Sequence, residues 1–333
     1  MRGVKVLAKE AQSVKKELIE RGVLDTGKKA LRDGDSVIFP VRADVEGFET
    51  VEAEFKDVRK HGKFRDALRG FLTPEELSLA KRAFDTIGDI AIIEVPPELE
   101  VHEGAIARAL CETHKNVRSV YKKSSEIRGE GRTRVLKFLH GEEGTETIHR
   151  EHGMALRLDV ARVYFSPRLS AERERILALT KDGEVVVDLF AGIGPFSILL
   201  ARHRDIKAYA IDSNLSAFEY LKENIRINKV AHRVAPLLGD CREVAPRGAA
   251  TRVIMNLPKS SDRFLDLAFD VIKEGVIHYY AVSPEEDLYG SKVDFIKEAA
   301  EKKDRKIEIL NRKIVRPYAP YNYHIVIDVG VSG

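Results

Sequence analysis

The sequence has no tryptophan, two cysteines and no long apolar run among its 333 residues. Cys111 and Cys241 lie 130 positions apart, so they predict neither a disulfide framework nor a cysteine-rich metal site. No apolar run approaches the roughly 20 residues of a membrane-spanning helix, and the first residues lack a signal-peptide core. We therefore expect a cytoplasmic enzyme or nucleic-acid-binding protein with no membrane partner.

The net charge of +3 is small, but the charges are distributed unevenly. Residues 56–69 contain six Lys or Arg and two Asp, and residues 115–134 contain seven Lys or Arg and two Glu. A local positive stretch in a nearly neutral chain is typical of a surface that contacts phosphate. The alternative for each stretch is a solvated face with no ligand.

Three compositional blocks predict three domains, and the chain has no internal repeat. Residues 1–56 form a small α+β unit, residues 57–69 a basic linker, and residues 70–165 a second α+β block. In the first block a helix is predicted with one face formed by Ala11, Val14, Leu18 and Ile19. In the second block, Thr73, Pro74 and Glu76 have the order of a helix N-cap, first residue and capping-box acid.

Residues 166–333 alternate between buried strands and helices, which predicts an α/β fold. The strands are EVVVDLF, IKAYAID, VAPLLGD, RVIMNL and VIHYYAV, and the chain closes with the strands KIEILNRKIVRP and YNYHIVIDVGV. This order is typical of a Rossmann-like, mostly parallel seven-stranded sheet with helices on both faces and one antiparallel strand. Two smaller α+β domains precede it.

The first strand of this block runs into DLFAGIGPF, where a cofactor loop is expected. Gly192 and Gly194 allow a tight turn and a close approach of the backbone to a ligand at a helix N-terminus. Asp212 ends the next strand 18 residues beyond Gly194, the spacing at which a carboxylate accepts both hydroxyls of an adenosine ribose. Asp240 ends the third strand, where it could accept from an adenine amino group.

Two details argue against a dinucleotide at this loop. The third glycine of the G-x-G-x-x-G pattern is missing, and Pro195 removes a backbone N–H that a pyrophosphate would use. Asp188 and the other strand-end carboxylates instead suit a cationic ligand with an ammonium group. S-adenosylmethionine, with its sulfonium, ammonium and adenosine, is therefore the expected cofactor. Asn256, in the NLPK run after the fourth strand, is expected to present its amide to a planar nitrogen-containing substrate.

The motifs together resemble the archaeal and eukaryotic-type tRNA (guanine-37-N1)-methyltransferases. The matching runs are TIGDIAIIEV, VYFSPRLSAERERI, VVVDLFAGIGPF, RVIMNLPK and RKIVRPYAP, which cover about residues 70–333. The resemblance implies a class I methyltransferase domain and a tRNA substrate bound at its anticodon loop. Residues 1–56 resemble the family only in size and element order, and imply a domain that contacts the outer corner of tRNA.

The resemblance also implies roles for individual residues. Guanine N1 carries a proton at neutral pH, so methylation requires a base near N1 and a donor near the O6 oxygen that gains negative charge. The family's base position is Glu172 and its O6-stabilising arginine is Arg132; without the family context, the alternating charges around Glu172 are typical of a surface helix. The remaining implied contacts are Asn256, Tyr164 and Pro258 with the guanine, and Arg168, Phe190 and also Asn256 with the cofactor. From the positive stretch at 115–134, Arg134, Lys122 and Lys123 are expected to contact the RNA.

Several alternatives remain open on the sequence. A related enzyme could transfer the aminocarboxypropyl arm of the same cofactor or act on a modified guanosine, and a non-catalytic tRNA-binding protein is a third possibility. Methylation of an exocyclic amino group is disfavoured because Leu257 and Lys259 depart from the N-P-P-aromatic pattern. His149 and His152 lack a third ligand, so no metal site is predicted. We expect a monomer that turns the target base out of its stack.

Overall fold

The computed structural model describes residues 1–55, 64–80, 83–124 and 135–332. Its strands are β1 (Arg2–Leu7), β2 (Leu31–Asp33), β3 (Ser36–Pro40), β4 (Thr50–Glu52), β5 (Asp85–Ile87), β6 (Ile90–Ile93), β7 (Ser119–Lys123), β8 (Leu136–Gly141), β9 (Glu146–Glu151), β10 (Met154–Asp159), β11 (Val185–Asp188), β12 (Lys207–Asp212), β13 (Val234–Leu238), β14 (Ala250–Met255), β15 (Ile272–Pro284), β16 (Lys306–Ala319) and β17 (Asn322–Ser332). Its α-helices are α1 (Ala11–Glu20), α2 (Phe64–Leu68), α3 (Pro74–Leu79), α4 (Glu103–Thr113), α5 (Ser170–Leu179), α6 (Pro195–His203), α7 (Leu215–Ile227), α8 (Cys241–Val244), α9 (Leu265–Val271) and α10 (Gly290–Lys302). Short 3₁₀ helices cover Pro97–His102, Pro167–Leu169, Ser261–Phe264 and Glu285–Asp287. None of the described helices is long and apolar enough to cross a membrane.

The first compact unit, Met1–Phe71, contains a four-stranded sheet in the order β2-β3-β1-β4. The central strand β1 is antiparallel to both β3 and β4, and Val4 and Leu18 are fully buried between the sheet and α1. The predicted helix is confirmed at Ala11–Glu20. Its predicted face was wrong at Ile19, which is 54% exposed because adjacent residues point about 100° apart around a helix.

The second unit, Leu72–Gly333, begins with a four-stranded sheet in the order β5-β6-β7-β8. Strands β6 and β7 are parallel and are connected through α4. The predicted capping box of α3 is confirmed, because the Glu76 N–H donates to the Thr73 hydroxyl at 3.2 Å and the Thr73 N–H donates to Glu76 Oε2 at 2.9 Å. This helix ends at Leu79.

The large sheet of the second unit has seven strands in the order β13-β12-β11-β14-β15-β17-β16. In this sheet β17 runs opposite to the other six strands, which confirms the predicted mostly parallel sheet with one antiparallel strand and a terminal hairpin. Because the strand order reverses between β11 and β14, a crevice is expected outside their carboxyl ends, where ligands bind in such folds.

The hairpin β9–β10 shares a hydrophobic core with helices of the large sheet. Leu156 and Leu158 of β10 are fully buried in the same cluster as Ile198 and Leu199 of α6. The sequence places this hairpin before the domain boundary at residue 165, a boundary that stays a prediction. Because the core is shared, contacts that fix the position of the β9–β10 hairpin also fix the position of α6 beside the large sheet.

Two asparagines, Asn224 in α7 and Asn228 directly after it, bind the edge of β10 that faces away from β9. Asn228 Oδ1 accepts from the Ala155 N–H at 3.0 Å, and its amide donates to the Ala155 carbonyl at 2.7 Å. Asn224 makes the same pair of bonds with Arg157, at 2.7 and 3.0 Å. Four helical residues rise about 6 Å and two strand residues about 6.7 Å, so the two spacings match.

Replacing Asn224 with alanine is expected to destabilise the second unit. The substitution leaves the N–H and the carbonyl of Arg157 without partners, and each orphaned buried group costs about 1–3 kcal/mol. We expect a lower urea midpoint and faster amide hydrogen exchange at Arg157. Glu219→Ala, at an exposed site of the same helix, is the control. An unchanged exchange rate at Arg157 would show that the asparagine does not close this edge.

Candidate active site

The loop between β11 and α6 has the backbone that the glycine pattern predicts. Gly192 and Gly194 have φ angles of 56° and 89°, a region that other residues rarely adopt. A Cβ on Gly194 would lie 2.5 Å from Leu221 Cδ1, so the loop also packs too closely for a side chain. Gly194 precedes α6, whose first residue is Pro195. The loop therefore turns directly into a helix N-terminus at the crevice.

Asp212 holds this loop from the end of β12. Its Oδ2 accepts from the Gly192 N–H at 2.7 Å, and its Oδ1 accepts from the Asn214 N–H at 2.8 Å. The Asp212 carboxylate therefore lies at the glycine loop, where the sequence analysis expects it to accept from ribose hydroxyls. Tyr164 is also at the loop, since its carbonyl would lie 3.8 Å from a Cβ on Gly192.

Asp188 is a buried carboxylate with one oxygen unsatisfied. Its Oδ2 accepts from the Ser197 hydroxyl at 3.0 Å, while its Oδ1 is buried without a hydrogen-bond partner. Burial, reinforced by the negative charge of Asp212, raises the pKa of Asp188 to about 7 despite hydrogen bonds from Ser197 and the Phe190 N–H. An orphaned acceptor at a strand end fits a cationic donor such as an ammonium group.

Asp240 and Phe190 are connected through Arg242 and Phe264. Asp240 caps α8 and accepts three hydrogen bonds from the Arg242 guanidinium, at 2.5, 3.0 and 3.1 Å; these bonds lower its pKa. The Arg242 guanidinium lies over the Phe264 ring at 5.5 Å, and Phe190 packs edge-on against the same ring with centroids 4.9 Å apart. Contacts of Asp240 and Phe190 with adenosine stay predictions.

The NLPK run forms a turn after β14. The Leu257 N–H donates to the Met255 carbonyl at 3.0 Å, and the Pro258 carbonyl accepts from the Val282 N–H at 2.9 Å. Met255, the last residue of β14, pairs with Tyr279 of the parallel strand β15. The next residues of the two chain segments, Asn256 and Tyr280, therefore also lie beside each other. The structure thus places Asn256 and Pro258 at the same edge of the sheet as the glycine loop.

Glu172 lies on α5 and is buried, so its interpretation as a surface helix residue from local charge alone was wrong. Its Oε1 accepts from Arg175 Nη2 at 2.7 Å and from the Tyr280 hydroxyl at 2.7 Å. Its Oε2 accepts from Arg175 Nε at 2.9 Å and lies 3.6 Å from the Lys313 ammonium. Phe196 of α6 packs against the Tyr280 ring, with centroids 6.3 Å apart. Tyr280 therefore contacts both Glu172 and the helix that follows the glycine loop.

The hairpin β9–β10 holds the N-terminal part of α5. Arg173 is fully buried, donates to Glu151 Oε2 at 2.8 Å, and lies over the Phe165 ring at 5.1 Å. His152 Nε2 is 2.8 Å from the Ser170 hydroxyl, at the first residue of the helix. These contacts orient α5 and hence Glu172.

The histidines that the sequence analysis considered as metal ligands have other partners. His149 Nδ1 accepts from the Gly88 N–H at 3.1 Å, while His152 is engaged with Ser170. Across residues 1–55, 64–80, 83–124 and 135–332, no group of three or more His, Cys, Asp or Glu is arranged to hold a metal ion.

The remaining predicted residues are not brought to the crevice by a described contact. Lys122 is 12% exposed and pairs with Glu100 and Glu103, and Lys123 is 20% exposed and pairs with Glu94. The Arg168 guanidinium donates to Asp85 at 2.5 Å. Arg132 and Arg134 lie outside the described residues. The roles of these five basic residues stay predictions.

Sequence reasoning missed the polar residues behind Glu172. Tyr280 and His278 lie on β15, Lys313 on β16, Asp328 on β17 and Arg175 on α5. The sequence feature that could have predicted this buried cluster is the presence of His278 and Asp328 in the mostly apolar strands VIHYYAV and YHIVIDV. A charged group in a buried strand indicates a paired partner nearby.

Comparison with protein-family models gives three matches, which follow one another along the chain. Residues 147–310 match the TRM5/TYW2 methyltransferase domain. Residues 64–145 match the TYW2 N-terminal domain, and residues 3–49 match the tRNA methyltransferase 5 N-terminal domain. The three matches follow the order of the three predicted blocks.

Individual relatives match over most or all of the chain. A tRNA (guanine(37)-N(1))-methyltransferase Trm5b from Pyrococcus abyssi is 49% identical over 99% of this chain and 98% of its own length. The tRNA(Phe) (4-demethylwyosine(37)-C(7)) aminocarboxypropyltransferase from Methanocaldococcus jannaschii is 38% identical over 74% of this chain and 96% of its own. The solved complex of aTrm5 and tRNALeu aligns with a TM-score of 0.73 at 35% identity, covering all of both chains.

Proposed function

Because the chain belongs to the TRM5/TYW2 methyltransferase family, we propose that it transfers the methyl group of S-adenosylmethionine to N1 of guanosine 37 in tRNA. The full-length relative that carries this activity in its name supports the assignment. The chain carries the methyltransferase domain of that family, whose cofactor is S-adenosylmethionine. The position of the methyl group on the base is the part that requires an experiment.

The residues at the crevice fit the cofactor. The unsatisfied oxygen of Asp188 would accept from the ammonium group, Asp212 would accept from the ribose hydroxyls, and Asp240 would accept from the adenine amino group. Gly192, where an added Cβ would meet nothing closer than the Tyr164 carbonyl at 3.8 Å, leaves room for the ligand against the backbone. When bound, S-adenosylmethionine supplies an electrophilic methyl group on its sulfonium.

Glu172 is the proposed base for the guanine N1 proton. Its Oε1 is taken up by the Tyr280 hydroxyl and Arg175 Nη2, both at 2.7 Å. Its Oε2 has one short hydrogen bond and faces the partly exposed Lys313. We therefore assign proton acceptance to Oε2. The observation that carries the proposal is a buried carboxylate held by the hydroxyl of Tyr280, the β15 residue beside the end of β14 that carries Asn256.

The negative charge that develops at guanine O6 requires a donor. Arg132, which lies outside the described residues, is proposed for this role from the sequence. Asn256 and Pro258 are proposed to hold the guanine edge, with Tyr164 packing from the side of the glycine loop. Together these residues would surround a base that has been turned out of the anticodon loop.

Transfer of the aminocarboxypropyl arm is the second candidate, because relatives with that activity belong to the same family. The aminocarboxypropyltransferase from Methanocaldococcus jannaschii covers 74% of this chain but 96% of its own length, so part of this chain has no counterpart in it. Residues 3–49 instead match the tRNA methyltransferase 5 N-terminal domain. This match favours methylation over transfer of the aminocarboxypropyl arm. We propose that residues 1–56 contact the outer corner of tRNA.

The assay that tests the proposed function uses tRNA transcripts with guanosine or adenosine at position 37. We expect 1-methylguanosine by nucleoside mass spectrometry with the guanosine transcript and no methylated product at position 37 with the adenosine transcript. A mass increase equal to an aminocarboxypropyl group would instead assign the second candidate. Binding of tRNA without consumption of cofactor would overturn both.

A further inference from the structure

Arg175 joins two buried carboxylates. Its Nε and Nη2 donate to Glu172, while its Nη1 donates to Asp328 Oδ2 at 2.6 Å and its Nη2 to Asp328 Oδ1 at 3.1 Å. Both carboxylates are almost completely excluded from solvent. A guanidinium presents its N–H donors in a rigid planar fork, so the positions of its two partners are coupled. The orientation of Glu172 therefore depends on Asp328.

Asp328 is itself held on the far side by His278 and Asn311. Its Oδ1 lies 2.6 Å from His278 Nδ1, and its Oδ2 accepts from the Asn311 amide at 3.1 Å. Burial opposes ionisation of this carboxyl, but hydrogen bonds from His278 and Arg175 outweigh it and hold the pKa of Asp328 below its ordinary range. The side chain is thus a permanent anion directly behind Arg175.

The tautomer of His278 follows from its second neighbour. His278 Nε2 lies 2.5 Å from Nη1 of Arg252, which can only donate, so Nε2 accepts and Nδ1 carries the proton toward Asp328. Burial and the positive charges of Arg252 and Arg175 lower the pKa of His278, which keeps the ring neutral. Arg252 is anchored by two bonds to Glu184 at 2.6 and 2.9 Å. The chain of contacts is therefore continuous from Glu184 to Glu172.

We propose that Asp328 is a positioning residue for the methyl-transfer base: it orients Arg175, and through Arg175 the Glu172 carboxylate, and it offsets the guanidinium charge next to that carboxylate. The proposal rests on the proposed role of Glu172. Replacing buried ion pairs by apolar residues is often neutral for stability, so a chain of four charged groups behind one carboxylate is poorly accounted for by folding alone. A role in positioning the Glu172 carboxylate explains why these charged groups are placed behind it.

The charges that face Glu172 determine how strongly it binds a proton. Arg175 of α5 and Lys313 of β16 are positive, Tyr280 of β15 donates a hydrogen bond, and Asp328 of β17 is the negative group behind Arg175. Without the charge of Asp328, the guanidinium acts on Glu172 alone and favours its ionised form more strongly. The carboxylate then takes up a proton less readily and is a weaker base.

The test is Asp328→Asn, assayed in single turnover with a tRNA transcript carrying guanosine 37. We expect a rate about 10-fold lower, with the KM for tRNA and the affinity for S-adenosylmethionine unchanged, because the change acts on the base alone. The acid limb of the pH–rate profile is expected to move to lower pH. Asp294→Asn, which removes one charge at an exposed site of α10, is the control and should keep the rate and the profile.

Arg175→Lys separates orientation from charge. Lysine keeps the positive charge but has no planar fork to hold two carboxylates. We therefore expect a slower reaction, with the acid limb of the pH–rate profile at the same pH as in the wild type. Asp328→Asn keeps the guanidinium fork of Arg175, but it removes the charge and leaves one acceptor oxygen in place of two, so it is expected both to slow the reaction and to move the limb. Thermal unfolding and cofactor binding of both variants are measured alongside, so that loss of folded protein is corrected for.

Each outcome has a defined meaning. A slower rate and a displaced acid limb in Asp328→Asn support the proposal. If Asp328→Asn has a lower melting temperature but the wild-type acid limb, the residue acts on folding alone and the proposal is overturned. If Glu172→Gln reacts at the wild-type rate, the proposed base itself is wrong; if it is slow while Asp328→Asn reacts normally, only the role of Asp328 fails.

Discussion

Replacing Glu172 by glutamine is expected to slow methyl transfer by about 10²- to 10⁴-fold, the usual contribution of a general base. Glutamine keeps the shape of the side chain and an acceptor for the Tyr280 hydroxyl but cannot take the guanine proton. Arg175 retains its bonds to Asp328, so its charge is not left unpaired in the buried site. The affinity for S-adenosylmethionine should stay close to that of the wild type. Single-turnover kinetics with saturating tRNA and calorimetric titration of the cofactor measure the two quantities.

The control for this prediction is Glu174→Gln. Glu174 lies on the same helix two residues away and is exposed, so the same substitution there should leave the rate within about twofold. An equal loss of rate and cofactor affinity in Glu172→Gln would assign Glu172 to folding instead of to proton transfer.

The pH dependence of Glu172→Gln provides a chemical signature. At alkaline pH, guanine N1 loses its proton to solvent, and a protein base is no longer needed. We therefore expect the rate of the variant to keep rising with pH where the wild type has reached its plateau. Parallel profiles for the two proteins would contradict the assignment of Glu172 as the base.

Asp188→Asn is expected to weaken the binding of S-adenosylmethionine by about 10- to 100-fold. A charge-assisted hydrogen bond contributes about 1.5–3 kcal/mol, and about 1.4 kcal/mol corresponds to a tenfold change in affinity. The ammonium group binds the ionised carboxylate, so the affinity of the wild type should rise as the pH passes through about 7, the raised pKa of Asp188. This rise should be absent from Asp188→Asn. Equilibrium dialysis at several pH values tests both statements.

The raised pKa of Asp188 also makes the stability of the cofactor-free protein fall as the pH rises. The pKa of Asp188 is raised from 3.8 to about 7, so between these values the folded state binds more protons than the unfolded state. The free energy of unfolding therefore falls as the pH rises across this window, and the contribution present below about pH 4 is lost above about pH 7. The drop in melting temperature from about pH 5 to about pH 8 should be smaller in Asp188→Asn.

Asp294→Asn is again the matched exposed control, and its binding and melting profiles should follow those of the wild type. If Asp188→Asn binds S-adenosylmethionine as tightly as the wild type at every pH, Asp188 does not contact the ammonium group. If its melting temperature falls with pH as steeply as that of the wild type, Asp188 is not the titrating group.

Features that depend on neighbouring residues were predicted correctly. The capping box at Thr73 and Glu76 is a matter of three-residue spacing, and the left-handed turn at Gly192 and Gly194 requires residues without a Cβ. The alternation of apolar strands and amphipathic helices likewise predicted the mostly parallel sheet. Errors such as the exposed Ile19 arose where a residue lies at the edge of a helix face.

The sequence by itself determined the order of the elements, the backbone of the loop between β11 and α6 and the family, because short-range periodicity, glycine positions and motif runs specify them. The tertiary structure decided the environment of Glu172, which local charges alone would place on a surface. Its contact with Tyr280 spans 108 residues, and the contact of Arg175 with Asp328 spans 153. The physical reason is that a buried carboxylate is defined by the charges packed around it, and these come from strands that only the closed sheet brings together.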